Sequence, residues 1–180
     1  MDNLSRIKKF SRNFHSLLSC LLVIIPLYYI FYWAFINYLP ETLITVNIDP
    51  TPLVPNSLPI SLQLIGFLAS LLPLSALTYG LINIRRLFSF YKEGVIFSFE
   101  HVAIFKNTAK ALVLWVVFSI IYESAKSVLF SAGNPPGSRL LNVGFSSAEL
   151  TTLIIGGIVL VIAWVMEEGR ILNEERELTV

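Results

Sequence analysis

Between Ile60 and Ile84 the chain carries no charged residue, nor does it between Leu17 and Leu39 or between Leu150 and Met166. An α-helix needs about 20 mainly apolar residues to cross the hydrocarbon core of a bilayer. Each run is therefore read as a membrane helix. A fourth candidate, residues 109–130, is weaker. Its clean apolar part is Ala111–Tyr122, and Glu123 and Lys126 follow. Composition points the same way. Of the 180 residues, 55% are hydrophobic and 14% charged, where a soluble domain has about 45–50% and about 25%. The mean hydropathy is +0.72. The expected fold is all-α: one polytopic membrane domain built as a four-helix transmembrane bundle. Its spans lie near 17–39, 60–84, 109–130 and 150–166. A connector covers 85–108 and a tail 167–180. The net charge of +1 gives no bulk case for nucleic-acid binding, and the lone Cys20 forms no disulfide within the chain.

The first run follows Arg6, Lys8, Lys9 and Arg12, like the basic head of a signal peptide. It is far longer than a signal core of about 7–15 residues, and no small-residue cleavage site follows. It reads as a retained anchor. The basic residues set a direction. Eleven fall in the N-terminal segment, the 85–110 connector and the tail, against Lys126 and Arg139 on the other side. The positive-inside rule then puts both termini and the connector in the cytoplasm. The opposite loop, 40–59, holds Pro50, Pro52, Pro55 and Pro59. Proline disfavours helix there, so an extended, short-stranded loop is expected.

Residues 94–106, GVIFSFEHVAIFK, are punctuated like a helix stop followed by a helix start. Gly94 suits a left-handed stop, with Lys92 in the last turn of the helix before it. Ser98 suits an N-cap, and Glu100 in the first turn complements the helix dipole. Phe97 and Val102 have the spacing of a hydrophobic staple, while His101 occupies the position where a capping box would hold Glu. Spans two and three should thus form one long helical hairpin. Its two helices, of about 32 residues each, would outreach a ~30 Å slab by two to three turns.

The set Gly94, Phe97, Ser98, Glu100, Val102 and Lys106 resembles the central motif of a bacterial membrane family, domain of unknown function 2975, with His101 replacing an expected Asn. The ending EERELTV resembles that family's terminus. The resemblance implies a four-span protein of the bacterial cytoplasmic (inner) membrane with no assigned activity. It also implies a regulatory partnership with a small helix-turn-helix regulator.

Two groups of residues are candidate sites. Glu123 and Lys126, spaced i, i+3, can pair on one helix face. As intramembrane charges they could line a pathway; alternatively they lie at the outer interface with Lys126 snorkelling. The second group is Gly94, Phe97, Ser98, Glu100 and His101. It is either a pH-sensitive or partner-binding patch, or a cap with exposed side chains. Pro26 and Pro73 are tolerable in membrane helices. Gly156-Gly157 would permit a close helix contact. Ser70, Ser75, Thr78, Tyr79 and Asn83 would join helices together. The tail glutamates could meet Arg85, Arg86 and Lys92. No catalytic motif, cofactor site or metal set is expected. The functional expectation is a non-enzymatic regulatory protein acting through a cytoplasmic partner. The alternative is a small transporter or channel subunit acting as a homo-oligomer.

Overall fold

The computed structural model describes residues 3–44, 57–95, 98–135 and 137–178, without the side chains of Thr42, Arg170 and 172–178. Among these residues the chain is all-helical. Four long helices carry it: α1 (Asn3–Ala34), α3 (Ile60–Glu93), α4 (Phe99–Ser131) and α5 (Ser147–Leu178). A 3-10 turn at Ile36–Tyr38 and a short α2 (Glu41–Ile44) follow α1. All four long helices are long and apolar enough to cross a membrane. This is a membrane protein built as a four-helix bundle. The helices run through Pro26 and Pro73 without a break. The expected extended loop begins instead with the helical turn α2; its remainder, 45–56, lies outside the described residues.

The long helices pack as a series, α1 on α3, α3 on α4 and α4 on α5. One end of the bundle carries the N-terminal segment, the α3–α4 connector and the C-terminal part of α5. The other end is closed by an aromatic cluster in which Tyr32, Trp33, Ile36, Ile44, Leu58, Tyr122, Leu129 and Phe130 bury one another. Trp33 Nε1 donates to the Tyr122 hydroxyl at 3.1 Å, joining α1 to α4. Asn37 fastens the returning chain by exchanging two bonds with the Leu58 backbone, at 3.0 and 2.8 Å.

Three of the five α3 polar residues expected to join helices bond within their own helix instead. Ser70, Ser75 and Asn83 each donate to a carbonyl three or four residues earlier in their own helix. A hydroxyl or amide in an apolar surrounding can satisfy itself locally in this way.

α5 differs from the other three helices in register. Beyond α4, residues 138–146 run back along it in non-helical conformation. Two fully buried serines of α4 hold this strap. Leu140 N–H donates to Ser131 Oγ at 3.0 Å and Asn142 N–H to Ser127 Oγ at 2.9 Å. α5 therefore starts well below the end of α4. Gly156 packs against Leu112 and the Ala109 carbonyl, so equal helical rise puts Ser147 beside about position 119. Gly156 and Ala163, seven residues apart, are the buried contacts of α5, while Ile155, Ile158, Val161, Ile162 and Val165 are exposed. A ~30 Å slab that includes the apolar part of α5 must sit lower on α4 than 109–130.

Candidate functional site

The connector end is built from α3's last turns and α4's first. Gly94 has φ 91° and ψ 10°, the left-handed region that glycine enters without penalty. Its N–H donates to the Tyr91 carbonyl at 3.1 Å and Val95 N–H to the Phe90 carbonyl at 3.0 Å. These are the two bonds of a Schellman stop. The Lys8 side chain lies across Gly94, where a Cβ would stand. Ser98 is extended, φ −152° and ψ 161°, at the N-cap position of α4. Its hydroxyl does not cap the helix backbone; it bonds His101 Nδ1 at 2.7 Å.

His101 is fully buried. Its ring stacks on Tyr91 at 5.2 Å between centroids and tilts against Phe90 at 5.3 Å. Nε2 is enclosed with no partner. His101 lies in the first turn of α4, and there burial pushes its pKa down while Ser98 and Glu100 oppose the shift. The ring is neutral at pH 7. The expected exposure thus applies to Glu100 and not to His101. One position along a helix turns a side chain by about 100°, which is enough to send Glu100 outward and His101 inward. Glu100's own helix-start amide and the Ser98 hydroxyl hold its carboxyl below the usual carboxylate range, with Arg86 adding to the effect. Arg86 in turn lies over the Phe90 ring at 6.0 Å. Gly94, Ser98, Glu100 and His101 are therefore brought together in one capped tip. Phe97, and with it the staple to Val102, falls outside the described residues.

Glu123 and Lys126 pair at 3.1 Å, and the two side chains are unlike in exposure. Lys126 is 11% exposed and Glu123 46%. The Lys126 ammonium lies over Tyr122 at 5.6 Å and Phe130 at 5.9 Å, an arrangement that holds a cation on ring faces. The pair belongs to the aromatic end, far from the tip. No bond joins it to a polar path through the bundle among the described residues. Two surface grooves between and beside α1 and α3 are lined almost wholly by apolar side chains, Gln63 excepted.

Sequence reading missed one contact. Lys106 Nζ bonds Glu167 Oε2 at 2.7 Å, joining α4 to the end of α5's apolar run. The sequence pairs the tail glutamates with Arg85, Arg86 and Lys92, whereas the described tail carboxylate Glu167 takes Lys106 of the same connector. The signal was present, since Glu167 is the first charge after the charge-free run of α5 and Lys106 is a basic residue near the start of α4. The α5 register needed to use it was not. Among the described residues no group of three or more His, Cys, Asp or Glu is placed to hold a metal.

No curated protein and no solved structure matches the chain. Residues 13–180 match the family described as Protein of unknown function (DUF2975). A match over nearly the whole chain, on a bundle of four membrane-length helices whose connector carries the Gly94-to-Lys106 motif, makes the chain a member of that family.

Proposed function

We propose that this protein is a non-enzymatic regulatory membrane protein that presents its connector end to a soluble partner in the cytoplasm. The observation that carries this reading is the construction of the tip. At this end α3 and α4 continue as regular helix, stop and restart at defined caps, and enclose a small interior of His101, Val102 and Ile104. A loose cytoplasmic loop needs none of this. A preformed surface lowers the ordering cost of binding. Around that interior the tip displays Arg86, Glu93 and Glu100 to solvent. The excess of basic residues at this end supports placing it in the cytoplasm of a bacterial inner membrane. The helix-turn-helix regulator implied by the family resemblance is the first partner to test.

The experiment is site-specific photocrosslinking in native membranes from position 100 on the tip and from position 161 on the outer face of α5. A soluble protein captured from position 100 and not from 161, and lost on Arg86→Glu, supports the reading. Lipid or a second copy as the only product from position 100 sinks it. A reporter fused at Thr51 that stays cytoplasmic would overturn the orientation. The transport alternative has one observation in its favour, the half-exposed Glu123 carboxylate on the bundle surface. It requires a neighbouring copy to complete a pathway, and its assay is ion flux with Glu123→Gln.

A further inference from the structure

At the connector end, α1 and α3 face each other with positive charge on both sides. On α3, Arg85, Phe88 and Lys92 are spaced i, i+3, i+7 and form one stripe. On α1, Lys8, Ser11 and His15 have the same spacing. The stripes meet. Phe88 stacks on Phe14 at 5.0 Å and lies 6.4 Å from Phe10, Lys8 crosses Gly94, and Ser11 is buried. His15 is close enough to Lys92 and Arg85 for both to add to its burial in lowering its pKa. Like charges brought together across a helix interface oppose packing unless an anion lies between them.

Among the described residues no carboxylate does so. The ion pairs there are Lys106–Glu167 and Lys126–Glu123, neither on this face. Glu93 is exposed at the end of α3, and Glu100 is drawn to Arg86. Arg85 supplies a second, independent sign. Its Nε is buried and donates to nothing, and an enclosed guanidinium donor without an acceptor is costly.

The depth of the cluster identifies the missing acceptor. The charge-free run of α1 begins at Leu17 and that of α3 ends at Ile84. Arg85, Lys92, His15 and Lys8 thus occupy the first turns outside the hydrocarbon, at the level of lipid headgroups. Basic pockets between membrane helices at this level take anionic headgroups. Arginine supplies a planar fork matched to phosphate oxygens, and lysine a movable point charge. Phe10 and Phe14 are exposed beside the cluster, where acyl chains would run. We propose that Arg85, Lys92, Lys8 and His15 form a binding site for a phosphate group, supplied by an anionic phospholipid seated between α1 and α3. This does not rest on the regulatory reading and would survive its failure.

The test uses the full-length protein, delipidated in a neutral detergent. Phosphatidylglycerol, phosphatidylcholine or inorganic phosphate is then added. Retained lipid is read by native mass spectrometry and thermal stability by a melting curve. Phosphatidylglycerol should be retained and raise the melting temperature, and phosphatidylcholine should do neither. Arg85→Gln and Lys92→Gln should each weaken retention by about tenfold or more, the loss of one charge-assisted contact. Arg139→Gln, at the opposite end, should change nothing. In lipid-free detergent Lys92→Gln should melt no lower than the parent, because it relieves repulsion. A purely structural role for Lys92 predicts the reverse. Inorganic phosphate stabilising the protein as well as the lipid does would keep the phosphate chemistry and overturn the lipid source. Equal retention of both lipids, or full retention by Arg85→Gln and Lys92→Gln, overturns the site.

Discussion

The Trp33 ring of α1 lies directly on Gly66 of α3, in the space that a Cβ at position 66 would occupy. Glycine here is a matter of room, since its backbone is ordinary helix. The ring is held from the other side by Phe130, at 6.4 Å, and by its N–H bond to Tyr122. It cannot retreat. Gly66→Ala should therefore cost about 1–3 kcal/mol, the usual range for overpacking a close-packed interior. Thermal unfolding in detergent measures it. Combining Gly66→Ala with Trp33→Leu should cost clearly less than the two changes summed, because the second removes the clash. Additive costs would mean that ring and glycine are not in conflict.

Gly94 is required for a different reason. Its positive φ is strained for any residue with a Cβ, by about 1–2 kcal/mol, and a Cβ would also displace Lys8. Gly94→Ala should lower stability by at least that amount, while Gly157→Ala, where nothing lies within 4 Å, should have little effect. The local signature is faster amide exchange at Val95 and through the first turn of α4. Loss confined to the opposite end of the bundle would contradict the assignment of Gly94 as the pivot of the tip.

These two glycines mark what the sequence discloses. Gly94 is legible because its cause is local: a helix stop, a basic residue before it and a helix start after it. The four spans are legible for the same reason, each being a continuous run. Gly66 is not, because its cause is a tryptophan 33 residues earlier in the chain. Neither is the register of α5. That register depends on Ser127 and Ser131 capturing a strap of nine residues, and nothing in SRLLNVGFS announces extended chain laid against a helix. With the register hidden, the partner of Glu167 was hidden too. In the candidate site the residues were found and their orientation was not. Glu100 and His101 are neighbours in sequence and opposites in burial.

His101 makes the tip sensitive to acid. Its folded pKa is pushed below the usual 6.5 by burial, so the unfolded chain takes up the proton first. The contribution is intact above about 6.5 and is lost as pH falls through that value toward the folded pKa. His15 on α1 is depressed as well and shifts in the same sense. The depressed carboxyls of Glu100 and Glu149 act only below about 4.5. Amide protection over residues 99–105, corrected for the intrinsic exchange rate at each pH, should therefore fall between pH 7 and 5. His101→Phe should remove most of that dependence at the tip while keeping the stack on Tyr91. An acid response at 99–105 unchanged in His101→Phe would assign it to His15 instead.

Ser127 and Ser131 are the residues through which α4 holds the fourth helix in its lowered register. Each hydroxyl donates to a carbonyl of its own helix, at 2.8 Å in both cases, and accepts an N–H from the strap. Backbone donors left without acceptors in an apolar setting cost about 1–3 kcal/mol each. Ser127→Ala and Ser131→Ala should each destabilise within that range. Ser75→Ala, which removes an exposed hydroxyl bonded only to its own helix, should be close to neutral. The double variant should do something the singles do not. With neither anchor, the strap is free to join α5, and α5 can slide along the seam made by Gly156 and Ala163. Disulfide crosslinking between cysteines placed at 112 and 156, in a Cys20→Ser background, reads that position directly. Efficient crosslinking in the parent and in Ser75→Ala, with a marked loss in Ser127→Ala/Ser131→Ala, is the expected result. Undiminished crosslinking in the double variant would show that the seam alone sets the register and that the two serines merely line it.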